Sequence, residues 1–324
     1  MKYRILGKTG IKVSEIGFGG WAIGGSWGHQ DKNESIEALH TAIDNGVNFI
    51  DTAQGYGEGK SEKIIAEILK TRKEEITVAT KMPPIEGAWP PSPYCKIEDR
   101  YPEWYIRKNI EERLSNLNTD CIDVLQLHTW TRAWNSNPTA LEILQQLKKE
   151  GKIKAIGIST PEQDQNSVID LMRKGYLDVV QVIYNIFEQE PAAELLPVAK
   201  ECNVGVIVRV AFDEGVLTGK YTADSKFEED DFRNKYFEGD RLARAVARVE
   251  KIEAEIKESN LTMPQLALKF PLAHPAVSTV IPGIRNKKQA LLNTAISDLE
   301  NLSGDLLKRL HKHYWHKGVW YSGK

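Results

Sequence analysis

Eight short runs rich in β-branched residues, separated by segments of helical periodicity, limit the folds open to this 324-residue chain more than any other feature. The runs are residues 13–18, 48–51, 76–80, 122–127, 155–158, 179–183, 205–208 and 277–281. Between them apolar side chains recur three and four positions apart: Ile36, Leu39 and Ile43; Ile64, Ile65, Ile68 and Leu69; Ile106, Ile110, Leu114 and Leu117. That spacing puts them on one face of a helix, whereas side chains along a strand alternate faces. Gly46 and Gly151 stand where helices should end. Alternating strands and helices imply right-handed crossovers and a parallel sheet. Eight such units close into an α/β fold of the (β/α)8 TIM-barrel type, roughly 250 residues before insertions. The surplus falls at residues 82–102, at 212–239 and in the tail beyond Leu299. A β-hairpin is expected ahead of the barrel, over Arg4 and Ile5 with a turn at 7–10. The reading is a single domain over residues 1–324.

Charge and cysteine usage narrow the function classes. Lys and Arg number 43 against 45 Asp and Glu, a net of -2 with no basic block, so a nucleic-acid partner is not expected. Cys95, Cys121 and Cys202 are widely spaced and form no CxxC pair, which speaks against a zinc site or a disulfide framework and for a reducing compartment. No apolar run approaches the ~18 residues needed to span a bilayer. The N-terminus has no apolar core of a signal peptide. The expectation is a cytoplasmic protein without a membrane partner.

Two motifs suggest chemistry that their context denies. Gly17-Phe18-Gly19-Gly20-Trp21-Ala22 matches the dinucleotide fingerprint of a Rossmann unit, but that fingerprint needs a helix at once, and here helical periodicity starts near Asn33. Tyr56 and Lys60 are spaced like a helical acid–base pair, yet Gly57 and Gly59 between them, each unfavourable by ~1 kcal/mol in a helix interior, make the segment a loop.

A barrel of this type builds its site where strands end and in the loops that follow. Those positions hold Asp51 after the second run, Tyr56 five residues on, Lys81 after the third and His128 after the fourth. Singly, each has a structural explanation: a turn cap, a packed ring, a solvated cation, a core histidine. Together they complement one another. A phenol with a reference pKa of about 10 needs a cation to stabilise its anion. Lys81 can be that cation, with Asp51 keeping it charged and aimed, while His128 can orient a carbonyl oxygen. Carbonyl reduction also needs a hydride donor, which no side chain supplies, so a nicotinamide cofactor is implied.

The stretch from Asp51 to Glu62 (Asp-Thr-Ala-Gln-Gly-Tyr-Gly-Glu-Gly-Lys-Ser-Glu) resembles the signature of the aldo-keto reductases, and Lys81 and His128 occur where that family has its other catalytic groups. The resemblance spans nearly the whole chain, including the Gly-Gly-Trp after the first run, Leu217 to Tyr221 and Ile281 to Arg285. It implies Tyr56 as proton donor with Asp51, Lys81 and His128 as its catalytic partners. It also implies NADP, with NAD as the alternative, laid across the barrel mouth. Gly20, Trp21 and Asp51 would border the cofactor, and Ser159 and Gln181 would hold its carboxamide. Arg209, Val210, Ala211, Phe212 and Lys220 would line the ribose and pyrophosphate. Gly283, Arg285, Gln289 and Asn293 would grip the adenosine end, with Arg285 and Lys287 as partners for a 2'-phosphate.

The sequence departs from that pattern at Thr160, where most relatives have asparagine, and at Arg209, where many have an aromatic. Trp21, Trp27, Trp89, Trp130 and Trp134 fall in mouth loops, which suggests an aromatic-walled pocket for a small carbonyl compound. Of these, Trp21 and Trp130 are expected to touch substrate together with Tyr56 and His128. Tyr314, Trp315 and Trp320 suit a lid or a subunit contact, leaving oligomerisation open. His311, His313 and His316 lack the spacing of a metal site. Two other readings remain. One is a nucleotide-binding partner or sensor like potassium-channel beta subunits. The other is a Schiff-base aldolase on Lys81, which requires a depressed lysine pKa that Asp51 opposes.

Overall fold

The computed structural model describes residues 1–25, 27–257 and 259–317. Its strands are β1 (Tyr3–Ile5), β2 (Lys12–Ser14), β3 (Phe18–Gly19), β4 (Phe49–Asp51), β5 (Thr77–Met82), β6 (Ile122–Leu127), β7 (Ile153–Ser159), β8 (Val179–Ile183), β9 (Gly205–Arg209) and β10 (Val277–Val280). The helices are α1 (Lys32–Asp44), α2 (Lys60–Leu69), α3 (Glu103–Leu117), α4 (Thr139–Lys149), α5 (Ile169–Arg173), α6 (Leu195–Glu201), α7 (Phe232–Tyr236), α8 (Arg241–Ile256), α9 (Met263–Leu272), α10 (Lys287–Ala295) and α11 (Gly304–His311).

Strands β3 to β10 are parallel neighbours in chain order. The last returns to the first through the bridges Ile16–Val280 and Gly19–Gly283, so the sheet closes as a (β/α)8 barrel. The first expected strand, residues 13–18, is divided. Its start pairs with β1 as the antiparallel hairpin, and only Phe18 and Gly19 join the barrel. Asn48 draws the chain apart here, accepting from the Ser14 amide at 2.6 Å while its own amide donates to the Ser14 hydroxyl at 3.2 Å.

The hairpin is the floor of the barrel. Leu6 and Val13 pack with Phe49, Ala79, Val124, Ala155, Val179 and Ile207, one residue from each of β4 to β9, and with Ile281. Strand side chains alternate with period two, so the residues two positions further on face the same interior one layer higher. They are Asp51, Lys81, Gln126, Gly157, Gln181 and Arg209. The barrel interior therefore changes from hydrocarbon to polar within one layer. Outside, Ile64, Ile65 and Ile68 of α2 pack on Ile50 and Val78, and Ile106, Ile110 and Leu114 of α3 belong to the cluster that holds Leu125.

Two of the three surplus segments carry added helices. The segment after β9 carries α7 before α8, and the tail forms α11, whose Leu306 and Leu310 are buried. Trp315 is buried beside Phe187, Tyr314 is exposed, and Trp320 lies outside the described residues. No helix among the described residues is long and apolar enough to cross a membrane.

The floor makes a steric prediction. Gly7 has φ +52°, and a methyl there would lie 2.2 Å from the Gly205 nitrogen; Gly10 has φ +73° but open space around it. Gly7→Ala should lower stability by roughly 2–5 kcal/mol, a backbone term plus overpacking. Gly10→Ala should cost about 1–2 kcal/mol, the backbone term alone. Urea midpoints of the two variants, measured side by side, check the difference.

Candidate active site

The polar layer is organised around one buried ammonium. Strand β5 runs on to Met82, so Lys81 lies within the strand rather than after it, and its side chain points into the barrel with no exposed surface. Its Nζ donates to Asp51 Oδ2 at 2.5 Å, to the Thr52 carbonyl at 3.0 Å and to Tyr56 Oη at 3.0 Å. Asp51 Oδ1 accepts from Gln181 Nε2 at 2.7 Å and from Gln126 Nε2 at 3.2 Å. A buried carboxylate is tolerated only when its charge and lone pairs are matched, and here both oxygens are engaged.

Tyr56 and Lys60 do not meet as a pair. Tyr56 sits in the turn between β4 and α2, and Lys60 begins α2 with its side chain exposed. Beneath that turn, buried Glu62 accepts from Thr80 Oγ1 at 2.6 Å, Asn116 Nδ2 at 2.8 Å and Arg113 Nε at 2.9 Å. Asn109 Nδ2 donates to Gln54 Oε1 at 2.5 Å. These contacts hold the turn that carries the phenol.

Burial pushes the Tyr56 phenol above its ordinary pKa. The Lys81 ammonium pulls it down, Asp51 pushes it up again and Arg209 lowers it, but burial prevails. The net acidity expected from a neighbouring cation is therefore not the outcome, because removing phenolate from water costs more than Lys81 returns. Burial by itself would lower Lys81, but Asp51 and Tyr56 together raise it, so the amine stays protonated and unsuited to nucleophilic attack.

His128 follows β6, its ring centroid 6.1 Å from that of Tyr56 in an edge-on arrangement. Trp89 meets the same imidazole at 5.7 Å. Trp21 lies 6.2 Å from the Tyr56 ring in stacked orientation and 5.5 Å from both Trp27 and Phe232. Trp130 is a correction. It has no exposed surface, packs edge-on against Trp134 at 5.3 Å and donates its indole N–H to Asn135 at 2.7 Å. Its side chain belongs to the core, and Trp89, which the sequence reading did not select, stands at the site instead.

On the cofactor side, Gly20 approaches Asp51 so closely that a methyl would lie 2.8 Å from the Asp51 carbonyl oxygen. Ser159 and Gln181 are buried and paired across β7 and β8. The Gln181 amide spends its N–H on Asp51 and leaves Oε1 buried without a partner. Thr160 does not replace an asparagine amide, because its hydroxyl contacts Gln165 Oε1 at 3.2 Å and the Gln181 carbonyl at 3.1 Å. Arg209 is held by the Thr160 carbonyl at 3.0 Å and Glu162 at 3.3 Å, while its Nε is buried and unpartnered. Val210, Ala211 and Phe212 continue from it as the first turn of the following loop.

Farther out, Lys220 and Arg285 border a cavity of about 340 Å³ with Arg233, Asp231 and Glu228. Burial, then Arg233 and Arg285, hold the Lys220 pKa below its ordinary value, the mark of cations crowded without enough anions. Arg285 donates to Gln30 Oε1 at 2.8 Å and to the His29 carbonyl at 2.6 Å. Gln289 accepts from the Arg285 amide at 2.8 Å, Asn293 is buried on α10, and Gly283 has open space beside it. Lys287 is exposed and pairs with Glu37 at 3.0 Å. The unpartnered Gln181 and Arg209 atoms at one end and the crowded cations at the other fit an elongated ligand with an amide head and phosphates.

Gln126, Arg233 and Glu62 were not selected from sequence, and Trp89 was placed in a mouth loop without being chosen as a substrate contact. A glutamine inside Ile-Asp-Val-Leu-Gln-Leu was a usable signal, being a polar residue at an inward position; Arg233 had none.

A closed parallel barrel with a buried carboxylate–ammonium–phenol chain at its C-terminal mouth defines a class of barrel oxidoreductase. Residues 15–314 match the model of the Aldo/keto reductase family, and the chain belongs to that family, whose members use nicotinamide cofactors. It is 32% identical over 295 residues to aldo-keto reductase YhdN of Bacillus subtilis, covering 89% of this chain and 86% of that protein. It is 31% identical over 320 residues to the NADH-specific methylglyoxal reductase of Escherichia coli, covering 94% and 95%. Among solved structures, the glycerol dehydrogenase of Gluconobacter oxydans superposes with a TM-score of 0.78 at 27% identity, covering 96% of this chain and 94% of that one.

The phenol's environment predicts its titration. A raised pKa keeps the neutral O–H past pH 10. The tyrosinate absorbance of the wild type minus that of Tyr56→Phe should therefore develop only above pH 10; a band appearing lower would contradict the balance of burial over Lys81.

Proposed function

We propose that this protein is an NAD(P)H-dependent reductase of aldehyde or ketone carbonyls, with Tyr56 as the proton donor. The observation that carries the reading is the 3.0 Å contact of Lys81 Nζ with Tyr56 Oη inside a fully buried pair with Asp51.

The bound nicotinamide would supply hydride to the carbonyl carbon. The carbonyl oxygen then needs one proton to become an alcohol, and Tyr56 donates it. A phenol with a raised pKa is fully protonated at neutral pH, and the alkoxide forming opposite it is a stronger base than phenolate, so transfer is downhill. Lys81 stabilises the phenolate that is left, and Asp51 keeps Lys81 charged. Gln126 and Gln181 hold Asp51 in the orientation that aims it. His128 hydrogen-bonds the carbonyl oxygen and fixes it toward Tyr56. Trp21 and Trp89 wall the substrate space, which suits small aldehydes or ketones with an apolar side.

Gln181 would receive the carboxamide through its free Oε1, and Ser159 stands beside it. Arg209 places a planar cation where many relatives have an aromatic ring, and a guanidinium can stack on a ring. Lys220 would take the pyrophosphate, common to both dinucleotides, and Arg285 the 2'-phosphate, which favours NADP. The name of the Escherichia coli relative, an NADH-specific enzyme, makes NAD the alternative to be tested.

Tyr56→Phe should lower turnover of any accepted aldehyde by about 10²–10⁴-fold, while fluorescence titration shows dinucleotide binding retained. Full turnover in that variant would remove Tyr56 from the mechanism. Arg285→Ala should weaken NADPH binding about tenfold or more and leave NADH binding within about twofold, because a charge-assisted contact to a 2'-phosphate exists only in the former. Equal losses for both would show that Arg285 does not read that phosphate.

A further inference from the structure

The loop after β9 is strained. Val210, Asp213 and Glu214 have φ of +56°, +48° and +54°, a region that non-glycine residues rarely occupy and that suits a β-branched valine least. Such conformations are unfavourable and persist only when the surroundings over-determine them. Asn185 contributes one restraint, donating to the Val210 carbonyl at 2.9 Å.

A second restraint comes from far along the chain. The Asp213 side chain is fully buried, and its Oδ1 accepts from the Lys317 ammonium and from Tyr236 Oη at 3.3 Å. The Lys317 side chain is itself only 5% exposed. Its Nζ lies 5.8 Å from the Phe187 ring centroid, 5.9 Å from that of Trp315 and 6.0 Å from that of Tyr236. Three aromatic rings and the Asp213 carboxylate thus surround the ammonium, with Glu188 close enough to feel its charge. Trp315 anchors this part of the tail, its amide donating to the Phe187 carbonyl at 2.9 Å and its ring lying 4.2 Å from the Arg248 guanidinium. Without Lys317, Asp213 would be a buried charge facing aromatic rings, which strongly favours its leaving the interior.

We propose that Lys317 is a positioning residue: the C-terminal tail carries it into the aromatic cage to clamp Asp213, and the clamp holds residues 210–215 in the strained form that binds the dinucleotide. The inference rests on the cofactor reading above, in which Val210, Ala211 and Phe212 line the ribose and pyrophosphate. Tail seating and nucleotide retention then become one equilibrium, and loosening the tail releases the cofactor.

The test uses the full chain as wild type, Lys317→Met, Lys317→Arg and the double variant Lys317→Met/Asp213→Asn. Three quantities are read: the NADPH and NADH dissociation constants, the release rate in a stopped-flow chase, and cleavage after Glu214 by a glutamate-specific protease without nucleotide. Lys317→Met keeps the side-chain length and apolar contacts. It should weaken binding of the preferred dinucleotide at least tenfold, chiefly through faster release, and speed cleavage at Glu214, with kcat at saturating cofactor not reduced. Lys317→Arg should stay within about threefold of wild type, and the double variant should recover most of the loss because no charge is left unpaired. Wild-type binding with Lys317→Met unchanged within twofold, or with Lys317→Arg as impaired as Lys317→Met, overturns the clamp alone. A wild type that binds neither dinucleotide overturns the cofactor reading and the clamp with it.

Discussion

Lys81 has no contact with solvent, yet it carries a charge, and the rest of the site follows from how that charge is accommodated. An unpaired ammonium in a barrel interior would lose its proton or pull water in. Asp51 prevents this from the adjacent strand, and two glutamine amides prevent the same fate for Asp51. The result is a chain of fixed dipoles and charges ending at the Tyr56 hydroxyl. A site assembled this way needs little reorganisation when a carbonyl oxygen gains charge beside it, which is the condition under which electrostatic stabilisation is largest. The cost is borne by the apolar floor below, where the hairpin seals the barrel with Leu6 and Val13.

The layering explains why so many side chains converge. Each of β4, β5, β6, β8 and β9 places an apolar residue in the floor and a polar one two positions on, while β7 places Gly157. That glycine is not a gap in the pattern: a methyl there would lie 3.0 Å from the Gln126 side chain, so its absence gives Gln126 room to reach Asp51. The outer end of the groove follows another rule. There, loop residues such as Arg233 and Arg285 gather from distant parts of the sequence, and their mutual repulsion is met only partly by Asp231 and Glu228.

Much of this was legible beforehand, for physical reasons. The alternation of period two and period 3.6 is a local property, so the strands after the first could be read within two residues and three of the helices through their apolar stripes. The largest departure was the first run, where Asn48 captures Ser14 and turns a continuous strand into hairpin and barrel portions. Asp51, Tyr56 and Lys81 were readable because barrel strands end at a common face. Trp130 was misread as a wall because sequence position identifies a mouth loop but not which side of the loop faces the core. The Tyr56 acidity expected from Lys81 failed because one charge partner was counted while burial, the larger effect, could not be.

Residue order by itself determined the barrel, the family and the triad of carboxylate, ammonium and phenol, since these depend on periodicity and on strands that are neighbours in both chain and space. Tertiary structure alone decided what is buried and what is paired across long separations: Gln126 on Asp51, Arg233 over Trp27, and Lys317 on Asp213. The dividing line is physical. Hydrogen-bond periodicity is a property of neighbouring residues, whereas desolvation and charge pairing depend on every atom within a few ångströms, and closing the barrel brings those atoms from anywhere in the chain.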